Sequence, residues 1–247
     1  MKAWWRWLAL LLLSLLALQL FFVGRVALMA VVDPKSTTFE RSEAWRIQQE
    51  KGTLRWRQQW VSYDQISDNL KRAVIASEDD SFAWHEGVDW ESMEKAWQKN
   101  AAAEERAAKL AAKLAAHSER AVKPPKIVGG STITQQLAKN LLLSGERTFL
   151  RKGQELVLAF LLERLLNKRR ILELYLNHVE WGEGVFGAEA AAQHYYRKPA
   201  ARLTAGEAAR LAVMLPRPRY YEKLPNSLYL SERAGVIVGR LYRAELP

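Results

Sequence analysis

The chain has 247 residues and contains no cysteine, which excludes disulfides, thiolate metal sites and cysteine nucleophiles. Apolar residues make up 49% of the sequence, enough for a packed core, so intrinsic disorder is not expected. The formal net charge of +10 favours an anionic partner, either nucleic acid or a membrane surface with phosphate-bearing substrates. An ordinary solvated surface is the alternative explanation of this charge.

The N-terminus distinguishes between these partners. Trp7–Gly24 contains no charged residue and has about the minimum length of a membrane-spanning helix. Lys2 and Arg6 precede it, and such flanking positive charge favours a cytoplasmic N-terminus. A cleaved signal peptide is the alternative, but its apolar region would be shorter and a small-residue cleavage site should follow it. We predict that residues 1–32 form a single-pass anchor with everything after Asp33 outside the cytoplasm, and we expect no nucleic-acid partner.

The next segments lead towards a helical domain. Asp33–Arg46 is predicted to be a connecting stretch, and Trp56–Val61 alternates enough to allow a short strand. Ser67–Ser77 has the apolar spacing of a helix, with Ser67 as its cap. Trp90–Ala121 consists mainly of strong helix formers, and its Ala-rich part, residues 100–122, offers few large apolar groups to bury. We expect a long, partly exposed helix or a mobile arm there.

Helical periodicity returns after residue 130, and no alternating series of strands that could make a sheet is present. We predict helices over Ser131–Leu143, Arg151–Asn167, Lys168–Asn177, Ala188–Tyr196, Thr204–Leu215 and Ser231–Ala244. The glycine-punctuated segment Trp181–Gly187 breaks the pattern. Residues 33–60 are then a connecting segment, and residues 61–247 form one mainly α domain.

Two stretches carry residue types suited to chemistry. Glu78-Asp79-Asp80 ends an amphipathic helix and is followed by Phe82 and His85. Taken alone, such an acidic triplet is more often solvated surface than a catalytic site. Gly129–Thr132 opens the next helix, where free backbone N–H groups and the positive dipole end suit a phosphate. A capped helix start after a turn explains that stretch better when it is considered by itself.

Positive side chains gather near a second glutamate. Lys139 lies two turns into one predicted helix, and Arg151 and Lys152 begin the next. Glu155 follows Arg151 by one turn, so an i,i+4 ion pair is geometrically available. Its carboxylate emerges from an otherwise apolar stripe, where desolvation could change its pKa. A helix-end salt bridge is an equally good reading of these residues alone.

Four ordered segments match a known set of motifs. EDDSFAWHEG (Glu78–Gly87) and GGSTITQQLAKN (Gly129–Asn140) match the first two, and RKGQELVLAFLLE (Arg151–Glu163) and KRRILELYLN (Lys168–Asn177) fit the third and fourth. In these segments the chain resembles the peptidoglycan glycosyltransferases, family 51 of the glycosyltransferases. The Ala-rich arm at residues 100–122 matches no motif, so its role stays open.

The resemblance implies a mainly α, lysozyme-like, two-lobed glycosyltransferase domain behind the N-terminal transmembrane helix. It implies polymerisation of lipid II into β-1,4-linked glycan strands with inversion and release of undecaprenyl pyrophosphate, for cell wall biosynthesis. Glu78 matches the family's catalytic base, and Glu155 its second essential glutamate near the donor pyrophosphate. The matched substrate-binding positions are Ser131, Thr132, Gln136, Lys139, Asn140, Arg151 and Lys152. Asp79, Phe82 and His85 match positions that support the base.

The resemblance also implies the setting of the enzyme. Its partners would be lipid II, the nascent glycan strand, the membrane, and cell wall synthesis or division proteins. No cofactor is expected to be required and no metal ligand is assigned, while assistance by a divalent cation at the donor pyrophosphate stays open. The expected location is the cell inner membrane, with a cytoplasmic N-terminus and a periplasmic catalytic domain.

Other functions are open on the sequence alone. A glycan-cleaving enzyme, such as a lysozyme or lytic transglycosylase, would also use a carboxylate on an α-helical scaffold, but it needs no basic cluster beside a second glutamate. A non-catalytic scaffold would have no need of both glutamates. Ser92-Met93-Glu94-Lys95 matches the S-x-x-K of transpeptidases, but no K-T-G follows it, so we expect a monofunctional enzyme.

Overall fold

The computed structural model describes residues 3–115, 129–143 and 148–247. Helix α1 spans Ala3–Leu28, and its segment from Trp4 onward is long and apolar enough to cross a membrane. Most of its side chains are exposed, and only Phe22 and Val26, near its end, are buried against the rest of the chain. The predicted apolar helix is therefore confirmed.

A helix occupies the segment that we expected to be a connecting stretch. Helix α2 spans Thr38–Lys51 and begins at a capping box, in which the Thr37 and Glu40 side chains each bond the other's backbone N–H. It packs against a later helix of the domain, and Glu40 is fully buried. The expectation was wrong because α2 is polar along most of its length, so no apolar stripe marks it, and its cap is the local signal of its start.

The helices that carry the four motifs lie close to the predicted bounds. Ser67 caps α3 as predicted, through a hydrogen bond from the backbone N–H of Leu70. The long Ala-rich segment is helical as far as the structure describes it, and the predicted part at residues 116–122 lies outside the described residues. The bounds are α3 Asp68–Glu78, α4 Trp90–Ala115, α5 Ile133–Leu142, α6 Phe149–Leu165 and α7 Lys168–His178.

A small sheet corrects the expectation that the domain has none. Strands β1 Arg57–Gln58, β2 Glu180–Gly182 and β3 Val185–Phe186 form three neighbours in the order β1-β3-β2, with β1 parallel and β2 antiparallel to β3. Strand β1 lies within Trp56–Val61, where we had allowed a short strand, whereas β2 and β3 are too short for alternation to show in the sequence. Gly184 permits the tight turn, since its φ is +72° and an added Cβ would lie 2.1 Å from the Arg55 carbonyl oxygen.

The C-terminal helices complete the core. They are α8 Ala188–Tyr196, α9 Ala205–Met214, α10 Pro218–Glu222 and α11 Leu228–Val238. The helix expected over Ser231–Ala244 begins earlier and ends earlier, and a separate 3-10 turn follows at Leu241–Arg243. Helices α3, α9 and α11 pack together on one side, while α5, α6 and α7 pack on the other. The described residues thus form the mainly α fold that we predicted; the lysozyme-like, two-lobed arrangement and the domain boundaries stay predictions.

Candidate active site

Glu78, the predicted base, is the last residue of α3. The next residue, Asp79, leaves helical geometry with φ −165° and ψ 73°, so the chain turns away directly after the carboxylate. Gln136 on α5 donates a hydrogen bond from Nε2 to Glu78 Oε2 at 3.0 Å. The Tyr175 hydroxyl donates in turn to Gln136 Oε1 at 3.0 Å. One carboxylate oxygen of Glu78 is therefore held through a relay that reaches α7.

The environment of Glu78 makes it a stronger base than an ordinary glutamate. Burial raises the pKa of Glu78 above its usual value, the Asp79 charge raises it further, and the Gln136 hydrogen bond and the Lys139 charge oppose this rise. Burial also raises the pKa of the Tyr175 hydroxyl well above its usual value, so the phenol stays protonated and donates. Gln136 can then present only its N–H group to Glu78.

Asp79 and His85 form a rigid support behind the base. His85 Nδ1 accepts a hydrogen bond from the backbone N–H of Gly87 at 3.0 Å, so its proton lies on Nε2, which is 2.9 Å from Asp79 Oδ1. Asp79 Oδ2 also accepts from the backbone N–H of Ile133, at the start of α5, at 2.9 Å. Phe82 is fully buried and meets the His85 ring edge-on. These contacts fix the side chains of Asp79, Phe82 and His85 next to Glu78, and their supporting role stays a prediction.

Thr132 and Gly87 join the first motif to the second. The Thr132 hydroxyl donates to the Gly87 carbonyl at 2.6 Å and accepts from the backbone N–H of Gln135, so it also caps α5. Gly87 has a φ of +87°, and an added Cβ would lie 3.0 Å from Glu163 Cγ and 3.3 Å from the Ala159 carbonyl oxygen of α6. Only glycine suits that position without strain.

Glu155 lies in the opposite kind of environment. Its side chain is almost fully buried on α6, yet Arg151 Nη1 contacts Oε2 at 3.0 Å and Lys152 Nζ bonds Oε1. The predicted i,i+4 pair with Arg151 is therefore present. Lys152 Nζ also donates to Ser131 Oγ at 3.3 Å. Two cations surround one carboxylate, so the cluster keeps a net positive charge for an anionic group.

A cavity of about 200 Å³ lies between the end of α3 and the start of α5. Glu78 and Ser131 both line it, so the cavity connects the base to the Lys152 contact. Asp89 lines it as well, and although burial alone would raise its pKa, hydrogen bonds from Ser81 and Ser92 lower the pKa of Asp89 to about 2. The other lining residues include Asp79, Asp80, Ser92, Gly129, Gly130, Thr132 and Arg240.

The structure therefore divides the predicted site residues into two groups. Gln136 bonds Glu78, and the Lys139 charge also acts on Glu78, although we had assigned Lys139 to the pyrophosphate side. Ser131 bonds the Glu155 cluster through Lys152. Asn140 is buried on α5, and its role in substrate binding stays a prediction.

Sequence reasoning missed three residues of this site. Tyr175 lies within the fourth motif, and the signal was available, because a buried tyrosine hydroxyl nearly always needs a hydrogen-bond partner. Arg240 reaches the cavity from beyond α11 and pairs with Asp80 at 2.8 Å. Asp89 bonds Ser81 across a turn. No regular spacing in the sequence indicates that Arg240 and Asp89 reach the site.

Comparison with known proteins shows the family of the chain. A family model described as transglycosylase matches residues 46–242. The biosynthetic peptidoglycan transglycosylase of Burkholderia thailandensis is 50% identical over 232 residues, which cover 94% of this chain and 83% of that protein. The protein of the same name from Paraburkholderia phytofirmans is 49% identical over 94% of this chain and 88% of its own length. The chain belongs to the peptidoglycan transglycosylase family of glycosyltransferases.

Proposed function

We propose that the enzyme polymerises lipid II, a disaccharide-pentapeptide carried on undecaprenyl pyrophosphate, into β-1,4-linked glycan strands of the cell wall. The 4-hydroxyl oxygen of the acceptor sugar attacks the anomeric carbon of the donor sugar, and the hydroxyl proton passes to the Glu78 carboxylate. The bond from the anomeric carbon to the pyrophosphate oxygen breaks, and undecaprenyl pyrophosphate leaves with the bonding electrons. The α-linked donor thereby gives a β-linked product.

One observation carries this proposal: two glutamates with opposite electrostatic surroundings, Glu78 half-buried and Glu155 buried, flank the start of α5. Glu78 is desolvated, and the raised pKa of its carboxyl group suits proton removal. Glu155 is held by Arg151 and Lys152, an arrangement that would bind a pyrophosphate rather than accept a proton. An enzyme that cleaves glycan needs no pair of cations beside its second glutamate. The presence of Arg151 and Lys152 therefore favours transfer from a pyrophosphate-linked donor.

The cations are proposed to stabilise the leaving group. Negative charge on the pyrophosphate grows as the glycosidic bond breaks, and fixed positive groups lower the barrier most when they are already oriented. Glu155 would orient Arg151 and Lys152 by binding both of them. Ser131 Oγ and the N-terminal turn of α5 lie beside Lys152 and could donate to phosphate oxygens. Thr132, Gln136 and Asn140 would shape the cleft, and Lys139 would tune Glu78.

We further propose that no resident cofactor is required. The described residues contain no group of three histidine, aspartate or glutamate side chains that could hold a metal ion. Both Glu155 oxygens are engaged by cationic side chains, so the donor set there does not fit a protein-held metal. A divalent cation would enter this site only with the pyrophosphate oxygens of the substrate. Measuring polymerisation with EDTA and then with added Mg²⁺ tests this point.

The proposed location is the cell inner membrane, with α1 spanning it, the N-terminus cytoplasmic and the catalytic domain periplasmic. The long apolar helix α1 supports this, as do the flanking positive residues. Lipid II stays in the bilayer, so tethering the enzyme there raises the effective concentration of the substrate. Cell wall synthesis or division proteins are proposed partners in the same compartment.

The decisive experiment compares Glu78→Gln with wild type on two substrates, lipid II and finished glycan. We expect wild type to polymerise lipid II and to leave finished glycan intact. Glu78→Gln should lower kcat by about 10²–10⁴-fold, as the loss of a general base does. Glu86→Gln, on the exposed side of the same loop, is the matched control and should retain wild-type activity.

Two outcomes would contradict the proposal. Cleavage of finished glycan by wild type would identify a lytic enzyme instead. Robust polymerisation by Glu78→Gln would remove Glu78 as the base.

A further inference from the structure

The membrane helix α1 is attached to the helix that carries the pyrophosphate cluster. Gln19 of α1 and Gln154 of α6 form two reciprocal hydrogen bonds, each from Nε2 of one side chain to Oε1 of the other, at 3.3 Å. Gln154 immediately precedes Glu155 in the chain. The backbones of α1 and α6 also lie close together.

This pair lies in the part of α1 that contains no charged residue. An amide group in a bilayer has no water to bond, so it must find a partner within the protein. Ser14, on the same helix, satisfies its hydroxyl by donating to the Leu10 carbonyl of α1 itself at 2.8 Å. Gln19 instead bonds a side chain of the catalytic domain, which makes its polar contact a link between anchor and domain.

The position of Gln19 along α1 fixes the depth of this link. Gln19 precedes the last helical residue, Leu28, by nine residues, which corresponds to about 14 Å along the axis. Gln19 lies in the C-terminal half of α1, so the link fixes the height of the first turns of α6 along the anchor, and with it their position relative to the membrane.

The outward face of α6 fits that depth. Leu150 is 88% exposed, Val157 51% and Phe160 43%, so large apolar groups on α6 face away from the core. These residues recur at a spacing that places them along one side of the helix. A helix side of this kind is favourable against lipid chains and unfavourable against water.

A second attachment holds the end of α1. Arg170 of α7 donates from Nε to the Met29 carbonyl at 2.8 Å and from Nη2 to the Val32 carbonyl at 3.3 Å, and it pairs with Asp33 at 2.7 Å. With its end fixed there, α1 meets α6 at a second point through Gln19. Two separated contacts define the tilt of the domain relative to the anchor, which one contact could not do.

We propose that the Gln19–Gln154 pair is a positioning contact that holds α6 at the depth where Arg151, Lys152 and Glu155 meet the pyrophosphate of a membrane-embedded donor. This inference rests on the proposed function and on α1 spanning the membrane. Gln19 touches no reacting atom. Gln19 acts through Gln154, which directly precedes Glu155, on the position of the Arg151, Lys152 and Glu155 side chains.

The test uses the full chain in phospholipid vesicles and two donors that differ only in prenyl length. The long-prenyl lipid II partitions into the bilayer, while a short-prenyl lipid II is water-soluble. Gln19→Leu should raise KM for the long-prenyl donor by about three- to tenfold, the effect of one interhelical hydrogen-bonded pair in a bilayer, with kcat within about twofold. KM for the short-prenyl donor should stay within about twofold.

Two comparisons make the result specific. Ser14→Leu replaces an exposed polar residue of the same helix and should leave both KM values unchanged. Adding Gln154→Leu to Gln19→Leu should raise KM no further, because the interaction is already lost. Equal loss on both donors, or no loss on the long-prenyl donor, overturns the inference alone. Failure of wild type to polymerise either donor overturns the proposed function with it.

Depth can also be measured without activity. The chain has no cysteine, so Leu150→Cys provides a single site for an environment-sensitive fluorophore on the exposed face of α6. Vesicles that contain lipids brominated along their acyl chains should quench this fluorophore. Gln19→Leu should reduce the quenching, and Ser14→Leu should not. Quenching that is absent from the start, or insensitive to Gln19→Leu, contradicts the proposed depth.

Discussion

The two glutamates of the site differ in exposure and in surroundings, since Glu155 is buried while Glu78 is half-buried and lines the cavity. Glu78 accepts a hydrogen bond from a neutral amide, and burial raises the pKa of its carboxyl group. Glu155 contacts the guanidinium of Arg151 and the ammonium of Lys152. Burial alone therefore does not make a base. At Glu78 the effect of burial outweighs that of the Lys139 charge, whereas at Glu155 two cationic side chains contact the carboxylate directly.

The difference predicts the largest stability effect at Glu155. Glu155→Gln leaves two positive side chains facing each other around a buried amide. We expect the free energy of unfolding to fall by about 3 kcal/mol, near the lower end of the cost of breaking a buried pair. Denaturant unfolding of the full chain in detergent measures it.

The matched control is Glu91→Gln, which removes the acceptor of a solvent-exposed i,i+4 pair with Lys95. Such exposed pairs contribute little to stability because water and salt screen them, so the control should unfold like wild type, at about the same denaturant concentration. Equal effects of the two substitutions would show that the Glu155 cluster is not a buried network.

The junction between the two halves of the site is expected to be the next most sensitive point. Gly87→Ala forces a left-handed φ on a residue with a side chain and brings Cβ to 3.0 Å from Glu163 Cγ. We expect a loss of about 1–3 kcal/mol in the free energy of unfolding. Gly206→Ala is the control, because its added Cβ meets nothing within 4 Å and its backbone is helical. That control should be neutral or slightly stabilising.

At Glu78 the sign of the stability effect should reverse. A raised pKa means that the folded state binds the proton more tightly than the unfolded state, so stability falls as pH rises from the ordinary glutamate pKa through the raised one. Glu78→Gln removes this penalty, and we expect Tm at pH 8 to rise by a few degrees. At pH 4, where the carboxyl is mostly protonated in both states, most of this gain should be lost. A lower Tm for Glu78→Gln at pH 8 would contradict the desolvated-base interpretation.

The smallest expected effect concerns the relay behind the base. Glu78 must be ionised to accept a proton, so kcat/KM should fall on the acid side as pH drops through its pKa. Gln136→Leu removes a hydrogen bond that lowers this pKa, so the acid limb should move to higher pH. Tyr175→Phe removes the hydrogen bond that orients the Gln136 amide but leaves the amide in place. The acid limb should therefore move in the same direction as in Gln136→Leu, but by less. A shift to lower pH in either variant would contradict the relay.

Much of the helical framework could be predicted because its signals are local. Caps such as Ser67, and the apolar periodicity of α5 to α8, depend on residues a few positions apart. A short strand was predicted at Trp56–Val61, but the sheet was not, since Arg57 pairs with Val185 across a long stretch of chain. The capping box of Thr37 and Glu40 marks the start of α2 in the sequence, but α2 has no apolar stripe that would identify it as a helix.

The site was predictable only in part. Motif resemblance identified Glu78 and Glu155, because those residue types stand at fixed places in the motifs. The expected role of Lys139 on the pyrophosphate side stays a prediction, and the effect of its charge on Glu78 follows only from the fold. Arg240 lies far along the chain, so its approach to Asp80 depends on how α11 packs.

The join between the first two motifs also bears on the Ala-rich arm. The Thr132 hydroxyl donates to the Gly87 carbonyl, and a Cβ on Gly130 would lie 3.1 Å from Met93 Cα. The chain just before the arm and the chain just after it are therefore held side by side. Exposed side chains in the later turns of α4, up to Ala115, can therefore change without moving Glu78, so that part of the helix is a natural place to attach a fluorescent reporter.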